Sequence, residues 1–306
     1  MVKRLPFNSF ILKIIAMVTM TFDHVGLMLV SYSGAALSND FSNTMFLVGF
    51  IFRVIGRIAF PLYIFMIVEG VKHTKNFWLY FLRISIVGIV IMIAQIIISV
   101  SMMDISSFSS PFMDLMVIAL MVYLLNRKDK FSWFSVLPIA FLIFTYVIQV
   151  VERANMISIT WFPGVIRPSY SIFGLILGVG FFYAYRFAYL SLVKKSDRNE
   201  ISEKDASKID SYRLMTNTFA SITLVMLNLL LFVIGYVIIN NRDSLNVWSN
   251  GFTDSNIQTY SIIATLFIFF YNGKRGYNKP WFKYFSYAYF PLHIVIIFLI
   301  FYVIFR

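Results

Sequence analysis

The sequence predicts an all-α polytopic bundle embedded in a membrane, one unit spanning residues 1–306, with about nine spans (eight to ten) and a cytoplasmic N-terminus. Three observations carry that reading. Of 306 residues, 59% are hydrophobic and only 13% are charged, whereas an ordinary soluble domain carries about 25% charged residues. There is too little polar surface to cover a globule, so a water-soluble enzyme is excluded. Apolar runs of the roughly 17–25 residues needed to cross a hydrocarbon core recur from end to end. The segments between them alternate in basic content, as the positive-inside rule requires.

The spans read at 10–31, 45–70, 77–100, 111–126, 131–151, 169–191, 213–240, 259–272 and 283–305. Asp23-His24 interrupts the first run and no small-residue cleavage site follows cleanly, so it is expected to be a retained helix and not a signal peptide. In the second, Pro61 removes a mid-helix hydrogen bond and is expected to kink it. The fourth and eighth are short, which leaves tilted, re-entrant or longer helices open. Residues 192–212, with KKSDRNEISEKDASKID, have mixed charge and read as a cytoplasmic linker. Pro291 is expected to kink the last span. No internal repeat, low-complexity tract or heptad pattern is visible.

The charge pattern orients the bundle. Seventeen of the 26 basic residues fall on one side, in the segments holding Lys3, Arg4, Lys72, Lys75, Arg127 to Lys130, Lys194 to Arg213, and Lys274 to Lys283. Four fall on the other: Arg153, Arg167, Arg242 and Arg306. This fits an odd number of spans in a multi-pass cell-membrane protein, with a bacterial plasma membrane expected and membrane lipids as its surroundings. The net charge of +12 does not point to nucleic acid, because it is spread over short loops that lack a folded soluble surface. Without Cys, with three His and without an HExxH pattern, the chain offers no thiol nucleophile and no expected metal site.

The remaining basic residues, Lys13, Arg53, Arg57, Arg83 and Arg186, lie in or at the ends of spans with Asp23, His24, Glu69, Asp114 and His293. Each costs at least ~2.5 kcal/mol near the bilayer centre, so each is expected to face the bundle interior and to mark a site or an interhelical contact. Lys13 and His24, eleven residues apart, return to within about 20° of one helix face and stand about 16 Å apart along the axis. A cation at the inner interface with an imidazole deeper in suits a long anionic cofactor; the alternative is a snorkelling anchor and a core histidine. Asp23 points about 100° away from His24, toward a neighbouring helix.

Arg53 and Arg57 share a face and have two open readings: interhelical pairs with Asp23 and Asp114, or binders of an anion or developing oxyanion. Glu69, His73, Lys75 and Arg83 cluster at the inner mouth of spans two and three, where a solvated, orientation-setting role is expected. The turn Asn272-Gly273-Lys274-Arg275-Gly276 could hold phosphates on its backbone N–H groups and two cations, although it lacks P-loop spacing. Tyr287 and Tyr289 suit an interfacial belt. His293, deeper in the last span, is harder to place there.

The succession LKIIAMVTMTFDHVG, IGRIAFPLYIFMIVEGVKHTKN with Tyr80 and Arg83, and YNGKRGYNKPWFKYFSYAYFPLHI resembles the TraX family, named for conjugal proteins that N-acetylate pilin. These blocks lie in order across residues 12–293, while about 95–260 contribute little. The pattern is also similar to the wider type-three membrane acyltransferases. The resemblance implies His24 as the catalytic His, Lys13 as the basic partner in the first helix, and Arg57 with Pro61 as the second-helix motif. The wider group mostly has Arg at the Lys13 position, and an ammonium does not reproduce planar bidentate recognition.

The resemblance implies acetyl-CoA as acyl donor and an amine or hydroxyl of an exported protein, peptide or envelope molecule as acceptor. The expected catalytic set is His24, Asp23 and Arg57, with Lys13, Arg53, Arg83, Lys274 and Arg275 around the donor and Glu69, His73, Tyr289 and His293 as further candidates. The rival reading is a transporter or lipid-handling protein that uses the buried charges as a substrate or proton path.

Overall fold

The computed structural model describes residues 5–34, 39–101, 111–157, 159–196, 209–240 and 255–304. All regular structure among them is helical, apart from an isolated bridge between Phe7 and Tyr271. Most of the expected linker lies outside the described residues, as do Lys3, Arg4, Arg242 and Arg306.

Helix α1 (Ser9–Ser33) starts at Asn8, whose side chain accepts the Ile11 N–H at 3.0 Å. Such a cap satisfies a donor that has no carbonyl partner within the helix. The expected second span is two helices, α2 (Asn39–Gly56) and α3 (Ala59–His73). The expected interruption by Pro61 is found one turn before it, at Arg57 and Ile58, whose N–H groups bond to the carbonyls three residues back, at 3.3 Å each. Pro61 has no N–H to offer the Arg57 carbonyl and its ring crowds that carbonyl, so the apolar stretch Asp40–His73 is divided there.

There follow α4 (Phe77–Ser101), α5 (Pro111–Leu125), α6 (Val136–Asn155), α7 (Ser171–Ser196) and α8 (Asp210–Asn240). A short helical pass comprises α9 (Ser255–Gln258), a 3-10 turn and α10 (Ala264–Phe269). The last helix, α11 (Pro280–Ile304), continues through Pro291. Among the described residues, seven helical stretches are long and apolar enough to cross a membrane, and 111–125 and 259–269 are shorter apolar helices. The chain is thus a helical polytopic bundle.

Contacts between helix ends define one face. The Ser9 N–H donates to the Lys274 carbonyl at 2.8 Å, Phe77 stacks on Tyr123 at 3.8 Å, and Arg213 reaches Glu69 at 2.9 Å. The starts of α1, α4, α8 and α11 therefore meet the ends of α3 and α5 and the turn after α10. Lys72, Arg127, Lys274, Arg275, Lys279 and Lys283 gather there, so this is the basic face.

The interior is closed by residues such as Leu12, Leu62, Phe65, Ile118, Phe181 and Leu224, each fully buried. Large apolar side chains such as Leu79, Ile86, Phe232, Leu299 and Val303 point outward, as expected where lipid is the solvent. Helices α1 and α2 approach closely through glycines. A Cβ on Gly26 would lie 2.6 Å from the Gly49 carbonyl oxygen, and one on Gly56 would overlap the Asp23 side chain. Small residues of this kind allow backbones to meet in membranes.

Candidate functional site

A cavity of about 790 Å³ opens at the basic face between α1, α3, α4 and the start of α11. Lys13, Arg83, Arg275, Lys279 and Lys283 line it, with His73, Tyr63, Tyr80 and Tyr287. Its size is typical of small-molecule sites. Lys274 does not line it; its carbonyl instead ties down Ser9 at 2.8 Å. The turn holding Lys274 and Arg275 has Gly273 at φ 74° and Gly276 at φ 69°. Glycine is required at Gly276 twice over, because φ is left-handed and a Cβ there would collide with Asn8.

Among the described residues Glu69 is the only carboxylate on the cavity wall, and it is already neutralised. Arg213 binds it in bidentate fashion at 2.9 and 3.0 Å, and Tyr185 and Tyr271 donate their hydroxyls to it, Tyr271 at 3.2 Å. The Glu69 and Arg213 side chains are 13% and 8% exposed, which corrects the expectation of a solvated Glu69. It also takes Arg213 out of the orientation-setting charges, since a buried guanidinium in a fork-to-fork pair is an interior residue. Burial, and secondarily the Glu69 carboxylate, push the Tyr271 phenol above its ordinary range, keeping it a proton donor. Only His73 of the expected mouth cluster packs near Glu69, with Nδ1 3.8 Å from Oε1.

Deeper along α1, past Met17 on the cavity wall, lies His24. Its Nδ1 is 2.7 Å from Nε2 of His293 on α11, and His293 Nδ1 is 2.9 Å from the Tyr289 carbonyl. A carbonyl oxygen only accepts, so His293 Nδ1 carries its proton. In a neutral pair His293 Nε2 is then the acceptor and His24 Nδ1 the donor. The Nε2 lone pair of His24 is left unused, and it makes no hydrogen bond among the described residues. Linked imidazoles thus have their tautomers set by one backbone oxygen. Thr21 and Tyr289 join hydroxyls beside them at 2.6 Å, and the Tyr289 ring stacks on His293. Tyr63, Phe112 and Tyr287, which line the cavity, pack in one apolar cluster with Met20 and Phe290. Phe290 meets the His24 ring edge-on at 5.8 Å.

On the adjacent face of α1, Asp23 binds Arg57, and Arg53 stands 3.9 Å away. Arg57 also donates to the Arg53 carbonyl, Tyr170 and Gln258 at 3.2, 3.4 and 3.4 Å. Arg53 and Arg57 therefore face Asp23 and not the cavity. Asp114 pairs with neither arginine: it accepts the N–H groups of Ser169, Tyr170 and Ser171 at 2.6, 3.0 and 2.8 Å, fixing the start of α7. Among the described residues no three His, Asp or Glu side chains converge as metal ligands. Sequence reading missed Arg213, Tyr170 and Gln258 as partners. Arg213 was visible only as one more cation beside a polar linker.

A family model described as TraX protein matches residues 9–194. That stretch carries Lys13, Asp23, His24, Arg53, Arg57, Glu69, His73 and Arg83, while Lys274, Arg275, Tyr289 and His293 lie beyond it. No curated protein and no solved structure matches this chain.

Proposed function

The chain belongs to the TraX family, and from that premise we propose that it is an integral membrane acetyltransferase. It would move an acetyl group from cytoplasmic acetyl-CoA to an amine or hydroxyl of an exported protein, peptide or envelope molecule. The observation that carries this reading is the course of α1. One helix face leads from Lys13 in a cation-lined cavity, past Met17, to an imidazole with a free nitrogen.

In this reading the phosphates of the donor rest among Lys13, Arg83 and Arg275, and its thioester arm extends inward along α1. His24 Nε2 accepts a proton from the acceptor as the acceptor nitrogen or oxygen attacks the thioester carbonyl carbon. The new C–N or C–O bond forms, the C–S bond breaks, and the departing CoA sulfur takes the proton from His24. General-base catalysis of this kind contributes about 10²–10⁴-fold. The imidazolium formed in between keeps its Nδ1–H on His293, which holds the ring in place much as a carboxylate orients a catalytic histidine. Arg57, bound to Asp23, Tyr170 and Gln258, holds α1 to α2.

Purified protein incubated with labelled acetyl-CoA and envelope, peptide or protein fractions tests this reading. Acceptor-dependent CoA release supports it. Saturable solute flux in proteoliposomes without CoA release supports the transporter reading instead.

A further inference from the structure

A second polar feature starts behind the Glu69 and Tyr271 wall of the cavity and lies apart from the histidine pair. Arg213, Asn217, Ser221 and Asn228 occupy one face of α8, at steps of four, four and seven residues that return to nearly the same helical angle. That face packs against the 255–269 pass. Two contacts fix the antiparallel register. Asn217 Nδ2 donates to the Tyr271 and Phe269 carbonyls at 2.6 and 3.1 Å, and Ser261 donates to Asn228 Oδ1 at 2.9 Å. Between these pins the register brings Ser221 and Thr265 within about a helical turn of each other.

Among the described residues, six buried side-chain polar atoms lack a hydrogen-bond partner, and four of them belong to this seam: Asn217 Oδ1, Ser221 Oγ, Thr265 Oγ1 and Gln258 Nε2. Asn217 is 0% exposed, and Ser221 and Gln258 are 6% exposed. Hydroxyls elsewhere on α8 behave differently. Thr216, Thr218 and Thr223 each donate to the carbonyl four residues back, at 2.9, 2.9 and 3.0 Å. That back-bond is the usual resting place of a helical hydroxyl in an apolar setting, and neither Ser221 nor Thr265 adopts it. The orphan set includes an amide oxygen that only accepts, an amide nitrogen that only donates, and two hydroxyls that do both. A water molecule complements all three kinds, and buried waters occur where such groups converge.

We infer that the seam between α8 and the 255–269 pass binds a file of water molecules. It begins at the basic face, where Tyr271 and Arg213 bind Glu69. It ends at Gln258, whose Oε1 accepts from Arg57, the partner of Asp23. The file gives water and protons a route from the Glu69 and Tyr271 wall of the cavity to the Asp23–Arg57 pair, and it does not depend on the acetyltransferase reading.

The chain contains no Cys, so an introduced thiol is observed without background. Ser221→Cys and Thr265→Cys replace each orphan hydroxyl with a near-isostere, and Leu224→Cys, at a fully buried apolar position on the same helix, is the dry control. The measurement is S–H to S–D exchange by infrared spectroscopy after transfer of the reconstituted full chain to D₂O. The expected result is exchange at both seam thiols at least about ten times faster than at the control. Equal rates at all three overturn the inference. Should the variants fail to fold, radiolytic labelling of the unaltered chain in ¹⁸O-water decides: ¹⁸O in the Asn217–Ser221 segment with none at Leu224 supports the file, and its absence from Asn217–Ser221 overturns it.

Discussion

His24 Nδ1 and His293 Nε2 lie 2.7 Å apart, a hydrogen bond between residues separated by 269 positions that closes the first helix onto the last. With His293 anchored to the Tyr289 carbonyl at 2.9 Å, the neutral pair leaves one imidazole nitrogen of His24 as a free base. His293 is then a positioning residue. His293→Gln, which can still offer an oxygen to His24, should retain far more activity than His293→Leu. The leucine variant should lose about 10²-fold in kcat, of the order that general-base catalysis supplies, with KM for acetyl-CoA unchanged. A KM effect alone in steady-state kinetics would assign His293 to binding.

The cavity cations should act on binding and not on chemistry. Lys13→Gln, Arg83→Gln and Arg275→Gln should each raise KM for acetyl-CoA about tenfold, equivalent to ~1.4 kcal/mol, and flatten its dependence on salt. Arg53→Gln and Lys274→Gln, whose side chains lie off the cavity wall, should move KM much less. Isothermal titration at two ionic strengths distinguishes the two sets.

The Asp23–Arg57 pair is buried, with side chains 16% and 9% exposed. Removing one partner leaves an uncompensated charge, so Asp23→Asn or Arg57→Met should each cost about 3–5 kcal/mol, while the double substitution should cost clearly less than their sum. Reversible unfolding in mixed micelles measures the cycle. Additive losses would show that the two residues act independently.

Helix approach gives a paired test. Gly56→Ala places a methyl group against Asp23 and should destabilise by about 1–3 kcal/mol. Gly34→Ala meets nothing within 4 Å and should leave the melting temperature unchanged.

Much of the bundle was legible because apolar length and loop charge are one-dimensional signals. The limits of α1 and α4 follow from hydropathy alone. The interruption at Arg57–Ile58 was legible in Pro61, which disturbs the carbonyl four residues before it; that it divides the stretch into two separate helices was not. The face shared by Lys13 and His24 could be read from helical phase. The partner of His24 could not, because no local rule links residue 24 to residue 293. Glu69 was misread for the same reason: beside His73 and Lys75 it looks like loop charge, and only the fold brings Arg213 and two tyrosines onto it.

The most direct measurement of the central claim is acceptor-dependent transfer of labelled acetyl from acetyl-CoA, comparing the unaltered chain with a folded His24→Gln variant. The account predicts turnover by the unaltered chain and a loss of at least about 10²-fold in kcat in the variant, with acetyl-CoA binding retained. Full transfer by His24→Gln would contradict it.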